Sequence, residues 1–568
     1  MKKSMKKLIS LLCVAAVSVN IAACGAGKGV DPNNPDNSVD PDVPVVPAPD
    51  PDEVVDESKA QLYISNFNGG VGTDWLYVAK ARFEEQYKDK VFVEGTKGVQ
   101  IWIETHKNSG VATAEKMAME RNEIYFLENT NYYDMAYSGK LLDITDMVTA
   151  DLTAYGESES IEDKMDSAYV DYFKTPDEKY FALPHYRSIY SMTYDMDVFD
   201  DNDLYFDQAG ELTKKSTDSD KSKGPDGKAG TYDDGLPATY DEMWTLCETM
   251  VQRGVDPFVW SGQYGFYVTC FLASLKADFE GDEAKLNYTF DGTATKLVDT
   301  IDANGKITYK PATKITKANG YEMCNSAGTY HALSFINKII EKQWYASVSF
   351  NGAQGNIDAQ NSFLVSKYSS KLNPIGMLIE GCWWPHESAG NFQSLVSQFG
   401  SSASLKNRRL AMMPLPKATA DLVGTQTTSI DVSQSVACIS GYIAENKKEL
   451  AKTFMQFLHT DASLIEFLQV TNMTRGFNYE VPETVYNKLN TFAQSTVNTV
   501  LNSKVHVPGC SDNFFVQNFS TFDYQKAFET NHGAHPHIAM NGGKTLEQIW
   551  SAARTKHNQT TWNNLIGS

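Results

Sequence analysis

Residues 61–103 carry the pattern that most limits the fold of this chain. QLYIS (61–65) predicts a β-strand, and the alternating apolar residues Val99, Ile101 and Ile103 predict a second one. Between them, a glycine-rich turn at 66–72 precedes a segment with helical spacing of apolar residues. Strand, helix and strand in this order form a βαβ unit, which belongs in a sheet covered by helices. The sequence therefore predicts an α/β fold.

The turn NFNGGVG, residues 66–72, follows the first predicted strand. It lacks both the G-x-G-x-x-G spacing and the Gly-Lys-Ser/Thr of phosphate-binding loops, which argues against a nucleotide site. Ligands of open α/β sheets nevertheless bind outside the carboxyl ends of strands. Asn66 and Asn68 occupy such an end, so we expect them to contact a ligand.

The first 24 residues differ from the rest of the chain. The basic start MKKSMKK is followed by an apolar stretch, 8–23, that contains Asn20 and is shorter than the roughly 20 apolar residues of a membrane span. This pattern predicts a secretory signal peptide over residues 1–23. The following IAACG resembles a bacterial lipobox, which implies that Cys24 is lipidated and attaches the protein to the cell membrane.

Residues 24–57 predict a tether between this lipid and a folded body. Pro, Asp, Asn and Val dominate the segment, and such a composition favours extended chain over a packed core. The remaining length of the 568-residue chain suggests more than one domain. A formal net charge of −21 argues against nucleic acid and against adsorption to an anionic membrane through a basic face.

Six cysteines remain after the signal peptide and Cys24 are set aside. They are residues 247, 270, 324, 382, 438 and 510. None forms a C-x-x-C pair, so neither a zinc site nor a redox motif is supported. Both disulfide pairing and buried free thiols are compatible with this spacing.

A polar insertion at 207–235 is rich in aspartate. Calcium sites need several oxygen ligands, and carboxylates supply them. No register fits the EF-hand pattern, since its sixth position would be Lys223 instead of glycine. A structural calcium ion is one hypothesis and a solvated loop is the other; no further cofactor is expected. The candidate ligands are Asp218, Asp220, Asp226, Asp233 and Asp234.

The stretch IEGCWWPHE, residues 379–387, places two tryptophans side by side. Neighbouring side chains point to opposite faces of a strand and lie about 100° apart on a helix. Trp383 and Trp384 therefore cannot serve the same purpose. We expect one ring to pack in the core and the other to face a cleft.

Several segments in order resemble a known family. They are LYISNFNGGVGTDWLYVAKARFEEQY, EIYFLENTNYYDMAYSGKLLDIT, KYFALPHYRSIYSMTYDMDVF, MLIEGCWW and RLAMMPLP…ACISGYIAENKKELAKTFMQFLHTDASL. Together with the lipobox and the tether, they resemble the extracellular solute-binding lipoproteins of ABC importers, of the maltose-binding-like class. The resemblance covers most of residues 60–480.

The resemblance implies a two-lobed fold of the type II periplasmic-binding-protein kind, with a hinge and a ligand cleft between the lobes. It places chain crossings near 184–190, 376–382 and 455–462. Lobe one would comprise residues 58–187 and 380–458. Lobe two would comprise residues 188–379 and 459–568.

The resemblance also implies site residues. Trp383 matches the family's cleft tryptophan and Trp384 would be its packing partner, while Glu380 stands where the family often has Asn. Leu127 stands where maltose binders have a stacking Trp. The remaining candidates follow the strand end near residue 128, lie on the first crossing, or add aromatic surface; they are Glu128, Asn129, Asn131, Tyr132, Tyr186, Arg187, Trp260 and Tyr264.

These residue types suit a sugar, because aromatic rings cover the apolar face of a pyranose while carboxylates, amides and Arg bond its hydroxyls. The expected protein is a non-enzymatic monomer outside the cytoplasm that delivers a sugar or oligosaccharide to ABC permease subunits. Two alternatives stay open: a surface glycan-binding protein not coupled to transport, and a glycoside hydrolase that uses a carboxylate pair such as Glu380 with Glu128.

Overall fold

The computed structural model describes residues 44–106, 114–128, 132–432, 435–510 and 525–566. The signal peptide, Cys24, Asn129 and Asn131 lie outside these ranges, so what was predicted for them stays a prediction. Among the described residues, no helix has the length and apolarity that a membrane span requires.

The strands are named in chain order. They are β1 Ala60–Phe67, β2 Val99–His106, β3 Ile124–Glu128, β4 Ala182–Pro184, β5 Tyr190–Asp195, β6 Tyr205–Phe206, β7 Leu212–Lys214, β8 Asp256–Val259, β9 Gly292–Ala294, β10 Val298–Ile301, β11 Ile307–Tyr309, β12 Thr313–Ile315, β13 Ile375–Gly381, β14 Leu410–Met413, β15 Thr428–Ile430, β16 Ser435–Ile439 and β17 Lys504–His506.

The α-helices follow the same convention. They are α1 Asp74–Gln86, α2 Ala114–Met119, α3 Tyr132–Tyr137, α4 Thr145–Thr149, α5 Ile161–Lys164, α6 Ser167–Phe173, α7 Met196–Asp201, α8 Tyr240–Gln252, α9 Phe266–Glu280, α10 Leu286–Thr289, α11 Ala327–Lys342, α12 Asn356–Ser366, α13 Trp384–Glu387, α14 Ala389–Phe399, α15 Lys448–Leu458, α16 Asp461–Thr471, α17 Glu483–Tyr486, α18 Thr491–Thr496, α19 Pro536–Asn541, α20 Leu546–Lys556 and α21 Gln559–Ile566.

The first lobe is built on a five-stranded sheet in the order β2-β1-β3-β16-β4. The strands β1, β2 and β3 run parallel, and β16 runs antiparallel to β3 and β4. The predicted βαβ unit is therefore confirmed as β1, α1 and β2. Leu76, Ala79 and Phe83 of α1 are buried, and the helix packs against α15 and α16.

The second lobe contains a four-stranded sheet in the order β14-β5-β13-β8. In it, β5 runs antiparallel to both β13 and β14, while β8 and β13 are parallel. The long helix α9 covers β5 and β13 and packs against α11. Unlike an amphipathic surface helix, α9 is buried on nearly all sides, as its apolar sequence requires.

The chain crosses between the sheets where β4 ends at Pro184 and β5 begins at Tyr190, within the segment expected for the first crossing. The crossing predicted at 376–382 is wrong, because β13 lies between β5 and β8 of the second sheet. The crossing predicted at 455–462 is also wrong, because α15 and α16 both pack against α1 of the first lobe. The chain instead crosses back between β15 and β16, and crosses again between α16 and α18. Helix α18 belongs to the second lobe, because it packs on β14. Strand β14 thus lies in the second lobe, at variance with the predicted boundaries.

The three crossing segments are hydrogen-bonded to one another. The backbone N–H of Arg187 donates to the carbonyl of Thr474 at 3.0 Å, and that of Val432 donates to the carbonyl of Ser188 at 3.2 Å. One carboxylate oxygen of Asp431 accepts the backbone N–H of Ser188 at 3.2 Å. Because each pass bonds to another, they form one connected hinge.

The two tryptophans have separate environments. Trp384 is fully buried and packs against Phe363, Phe392 and Phe492 of the second lobe. Its indole N–H donates to the hydroxyl of Thr193 at 2.9 Å, so the polar atom is satisfied. Trp384 is a core residue, as expected for one ring of the pair.

Trp384→Ala should lower the free energy of unfolding by about 3–5 kcal/mol, because it leaves a cavity among three aromatic rings. Chemical denaturation followed by circular dichroism measures this change. Trp102→Ala, at a half-buried position on β2, is the matched control and should cost clearly less. Equal losses in the two variants would contradict the core assignment.

Candidate ligand-binding site

A cavity of about 460 Å³ lies between the two lobes. Its lining combines the turn after β1 and the end of β3 in the first lobe with β5, α9 and α13 in the second. The lining residues are Phe67, Gly69, Gly70, Glu128, Tyr190, Phe266, Tyr267, Trp383, Glu387 and Gln525. The position matches the predicted cleft, and the described lining contains no Lys, Arg or His.

Aromatic rings form the wall from the second lobe. The ring centroids of Trp383 and Tyr190 lie 5.0 Å apart in an edge-to-face arrangement. Tyr190 in turn lies 5.7 Å from Tyr267, which stacks on Phe266 at 4.5 Å. Such contacts hold each ring in one orientation. The wall is therefore a preformed apolar platform.

Local structure explains how these rings reach the cavity. Tyr190 is the first residue of β5, and Phe266 and Tyr267 begin α9, so all three stand at ends of elements. Trp383 directly precedes α13, a short helix with proline in its first turn. One helical turn after Trp383, at i+4, Glu387 projects to the same cavity.

The wall from the first lobe is the turn after β1. The side-chain amide of Asn66 donates to the carbonyl of Gly72 and to the hydroxyl of Thr73, both at 3.1 Å. Gly70 and Gly72 have φ angles of +44° and +67°, which favour glycine. A Cβ atom on Gly70 would clash with Tyr186 and Glu128, and one on Gly72 would clash with His386 of the opposite lobe. The turn can approach both groups only because it lacks these side chains.

Glu128, at the end of β3, brings a carboxyl group to the cavity. Burial raises its pKa to about 8, an effect that the hydrogen bond from the hydroxyl of Tyr186 opposes and the nearby Glu387 reinforces. At neutral pH the protonated form therefore predominates. A protonated carboxyl group both donates and accepts hydrogen bonds.

Glu387 belongs to a second pair of carboxyl groups. The amide of Gln360 donates to Glu387 at 3.0 Å and to Glu380 at 2.7 Å, and Asn356 donates to Glu387 at 3.0 Å. Burial raises the pKa of both carboxyl groups, and the hydrogen bonds from Gln360 oppose the rise. Glu380 lies behind the wall, whereas Glu387 faces the cavity.

Of the residues predicted to bind ligand, Trp383 and Glu128 line the cavity. Asn66 and Asn68 stabilise the glycine turn instead, since the hydroxyl of Thr73 bonds to both side chains. Tyr186 supports Glu128 from behind. These residues shape the site rather than line it.

Four other predicted residues lie away from the cavity. Arg187 is in the hinge, where its guanidinium reaches Asn478 at 3.3 Å. Tyr132 is a core residue that donates its hydroxyl to the carbonyl of Phe173 at 2.7 Å. Trp260 is fully buried against Tyr345 and Phe350, and Tyr264 is exposed outside the cavity lining.

Five further residues line the cavity and were not predicted from the sequence: Tyr190, Phe266, Tyr267, Glu387 and Gln525. A usable signal existed for Glu387, because it lies four residues after Trp383 within the segment IEGCWWPHE. The other four are set by how distant elements meet, which local spacing does not reveal.

The acidic insertion binds its own backbone. Asp233 accepts the N–H of Asp226 at 2.9 Å, and Asp234 accepts that of Gly230 at 2.7 Å. Within the described ranges, no three His, Cys, Asp or Glu side chains are grouped to hold a metal ion. Whether the loop binds calcium stays a prediction.

Two of the many solved structures that resemble this chain are named as binding proteins. One is a chitin oligosaccharide binding protein, with a TM-score of 0.51 and 14% identity over 90% of this chain and 100% of that chain. The other is a probable secreted solute-binding lipoprotein from Streptomyces coelicolor, with a TM-score of 0.52 and 12% identity over 88% and 99% of the two chains. This chain has the fold of solute-binding proteins. No protein-family model and no curated protein matches its sequence.

The two-lobed fold predicted from the sequence is confirmed by these likenesses, which extend over most of the chain. Identities of 12% and 14% establish the fold alone. Function has to be argued from the cavity itself.

Glu128 should make stability depend on pH. Its pKa is raised from 4.5 to about 8 in the folded protein, so folding favours the protonated form. The resulting stabilisation is complete at acidic pH and is lost as the pH rises toward 8. Glu128→Gln, which mimics the protonated group, should therefore be more stable than wild type at pH 8 by more than about 1 kcal/mol.

Urea denaturation at pH 5 and pH 8 measures this effect. Glu94→Gln, at an exposed position, is the control and should follow wild type at both pH values. A Glu128→Gln variant with the pH dependence of wild type would show that Glu128 is already ionised in the folded protein.

Proposed function

We propose that this protein captures a sugar or oligosaccharide between its lobes and delivers it to an ABC importer outside the cytoplasm. The observation that carries the proposal is the interlobe cavity, which joins an aromatic wall to carboxyl groups from both lobes. Ligand binding between two hinged lobes couples occupancy to closure, and a transporter can recognise the closed form.

The lining suits a neutral sugar. Trp383 and Tyr190 offer apolar surface for the C–H face of a pyranose ring, and Glu128 and Glu387 can bond its hydroxyls. An acidic sugar would meet two carboxyl groups and none of the Lys, Arg or His side chains that recognise carboxylates, as far as the described lining extends. We therefore expect neutral sugars to bind better than uronates.

The two similar structures support this proposal. One is named for chitin oligosaccharide binding, and the other is named as a secreted solute-binding lipoprotein. Both names describe binding proteins, which favours a role without catalysis over the alternative of a glycoside hydrolase. A hydrolase needs one carboxyl group that stays ionised, and burial opposes ionisation of both Glu128 and Glu387.

A thermal-shift screen of residues 58–568 against mono- and oligosaccharides tests ligand capture. A sugar at about 100 times its dissociation constant should stabilise the folded protein by about 2.7 kcal/mol. Trp383→Ala should weaken binding of that sugar about tenfold or more, because it removes the stacking surface. Tyr264→Ala is the matched control, since this exposed aromatic residue lies outside the cavity.

Three outcomes would count against the proposal. Stabilisation by peptides or other solutes, but by no sugar, would exclude the carbohydrate ligand while leaving a solute-binding role. Equal binding by wild type and Trp383→Ala would exclude the aromatic platform. Incubation with an oligosaccharide, followed by chromatography of the sugars, tests the hydrolase. Shorter products that no longer form with Glu387→Gln would favour it.

We propose further that a lipid on Cys24 anchors the protein to the cell membrane, with residues 25–57 as the tether. Cys24→Ser should release the protein from the membrane fraction, because no acyl chain can be attached. Fractionation of cells that express the full chain, followed by immunoblotting, measures the distribution. Cys324→Ser should leave the protein in the membrane fraction, and release of both variants would point to a different anchor.

A further inference from the structure

A second cavity, of about 230 Å³, lies within the second lobe and shares no lining residue with the interlobe cavity. Its walls come from α9, α10, α20 and α21 and from the segment 320–324. The proposed sugar-binding function does not use this cavity. Small-molecule sites in proteins are typically concave and mostly apolar, with a few polar groups that orient the ligand. The lining of this cavity has both properties.

Small side chains create the space of this cavity. Ala273 and Ala277 lie one turn apart on the same face of α9, and Ala284 and Ala527 add two further methyl groups to the lining. All four alanines are buried, so they form the inner wall of the lobe and not its outer surface. Larger side chains at these positions would occupy the cavity, which therefore depends on the alanines.

Aromatic rings supply flat apolar surface to the same cavity. The ring centroids of the lining residues Tyr321 and Trp562 lie 6.3 Å apart, and those of Tyr288 and His506 lie 5.7 Å apart. Such rings favour a flat aromatic ligand, which can stack on them or meet them edge to face. A cavity of about 150 Å³ with an apolar lining is known to hold benzene. At about 230 Å³, this cavity suits a molecule of one or two fused rings.

The charged groups of the described lining carry an excess of positive charge, although the chain as a whole has a net charge of −21. Lys276 is buried, and its ammonium group donates to the carboxylate of Glu280 at 3.0 Å, so this pair is neutral. Lys526 and Lys556 share the single carboxylate of Glu529, at 3.2 and 2.8 Å. Two lysines and one glutamate leave one uncompensated positive charge. Both lysine side chains are partly exposed, which places this charge at the mouth of the cavity.

We propose that this cavity binds a small aromatic carboxylate, with its ring against the alanines of α9 and Trp562 and its carboxylate at Lys526 and Lys556. The ring buries apolar surface inside the cavity, and the carboxylate forms charge-assisted hydrogen bonds with the two ammonium groups at the mouth. Because the mouth is open to water, the carboxylate keeps part of its hydration and the cost of desolvation stays low. An amine on the same ring would instead meet two groups of like charge.

Three probes with the same ring and different charges test the preference for an anion. They are indole-3-acetate, the uncharged indole-3-acetamide and the cation tryptamine. Isothermal titration calorimetry of the mature chain should show indole-3-acetate binding about fivefold or more tighter than the amide, with tryptamine weakest. The double variant Lys526→Gln/Lys556→Gln should remove the advantage of the acid over the amide. Lys306→Gln/Lys314→Gln, at two exposed lysines outside the lining, is the matched control and should keep it.

Two further variants locate the bound probe. Ala277→Leu should weaken binding of indole-3-acetate about tenfold or more, because the larger side chain occupies the cavity. A melting temperature close to that of wild type shows that this variant is folded. Trp383→Ala should bind the probe like wild type, because Trp383 lines only the interlobe cavity. If Ala277→Leu does not fold, the lysine double variant and Trp383→Ala together decide the location.

Absence of binding by indole-3-acetate at millimolar concentration would overturn the proposal, and so would equal binding of the three probes. Loss of probe binding in Trp383→Ala would place the probe in the interlobe cavity and would also overturn it. Sugar binding to wild type and to Ala277→Leu is measured separately and should be the same in both. A failure of this proposal therefore leaves the proposed transport function untouched.

Discussion

The hinge around Arg187 and Asp431 is the constraint on which the rest of the structure depends. Three separate passes of the chain meet there, and each is hydrogen-bonded to another through backbone or carboxylate groups. The hydroxyl of Tyr169, in the first lobe, donates a hydrogen bond to the carboxylate of Asp431 at 2.5 Å. The guanidinium of Arg187 lies over the ring of Tyr169. Polar groups buried this deeply must be paired, so the passes cannot separate without cost. The lobes are thereby held at one shared axis, and a cavity can form between them.

The cavity gains its chemistry from elements that the hinge brings together. The aromatic wall belongs to the second lobe, whereas Glu128 and the glycine turn belong to the first. Neither half would enclose a ligand alone, because each supplies only one wall. Burial is the main cause of the raised pKa of Glu128, and Glu387 of the second lobe adds to it.

The periodicity of apolar residues in the sequence predicted the individual strands and helices of the first βαβ unit. The alternation at 99–103 and the helical spacing after Thr73 indicated β2 and α1, because burial of one face leaves a periodic trace. Adjacent positions indicated only that Trp383 and Trp384 differ in environment, and the family resemblance implied which of the two faces the cleft. The positions of the chain crossings after residue 187 could not be located in this way, because no periodic pattern marks them. Strand β13 is apolar on both faces, and a strand of this kind reads the same in either lobe.

The residues wrongly predicted to bind ligand have a related explanation. Tyr132 and Trp260 are the residue types that suit a sugar platform, yet both are fully packed in cores. The sequence around an aromatic residue does not indicate whether its ring packs against protein or faces a cleft. Arg187 likewise suits a ligand hydroxyl but bonds to Asn478 in the hinge. Only the tertiary arrangement distinguishes these outcomes.

Closure and recognition are combined in the short segment around α13. Trp383 and Glu387 line the cavity, while His386 between them meets Gly72 of the opposite lobe. Burial lowers the pKa of His386, so a neutral imidazole faces the turn and adds no charge beside the carboxyl groups. A ligand that stacks on Trp383 therefore acts on the same helix that the first lobe contacts. Gly72 is needed for this contact as well as for its backbone angle, since a side chain there would meet His386 and hold the lobes apart.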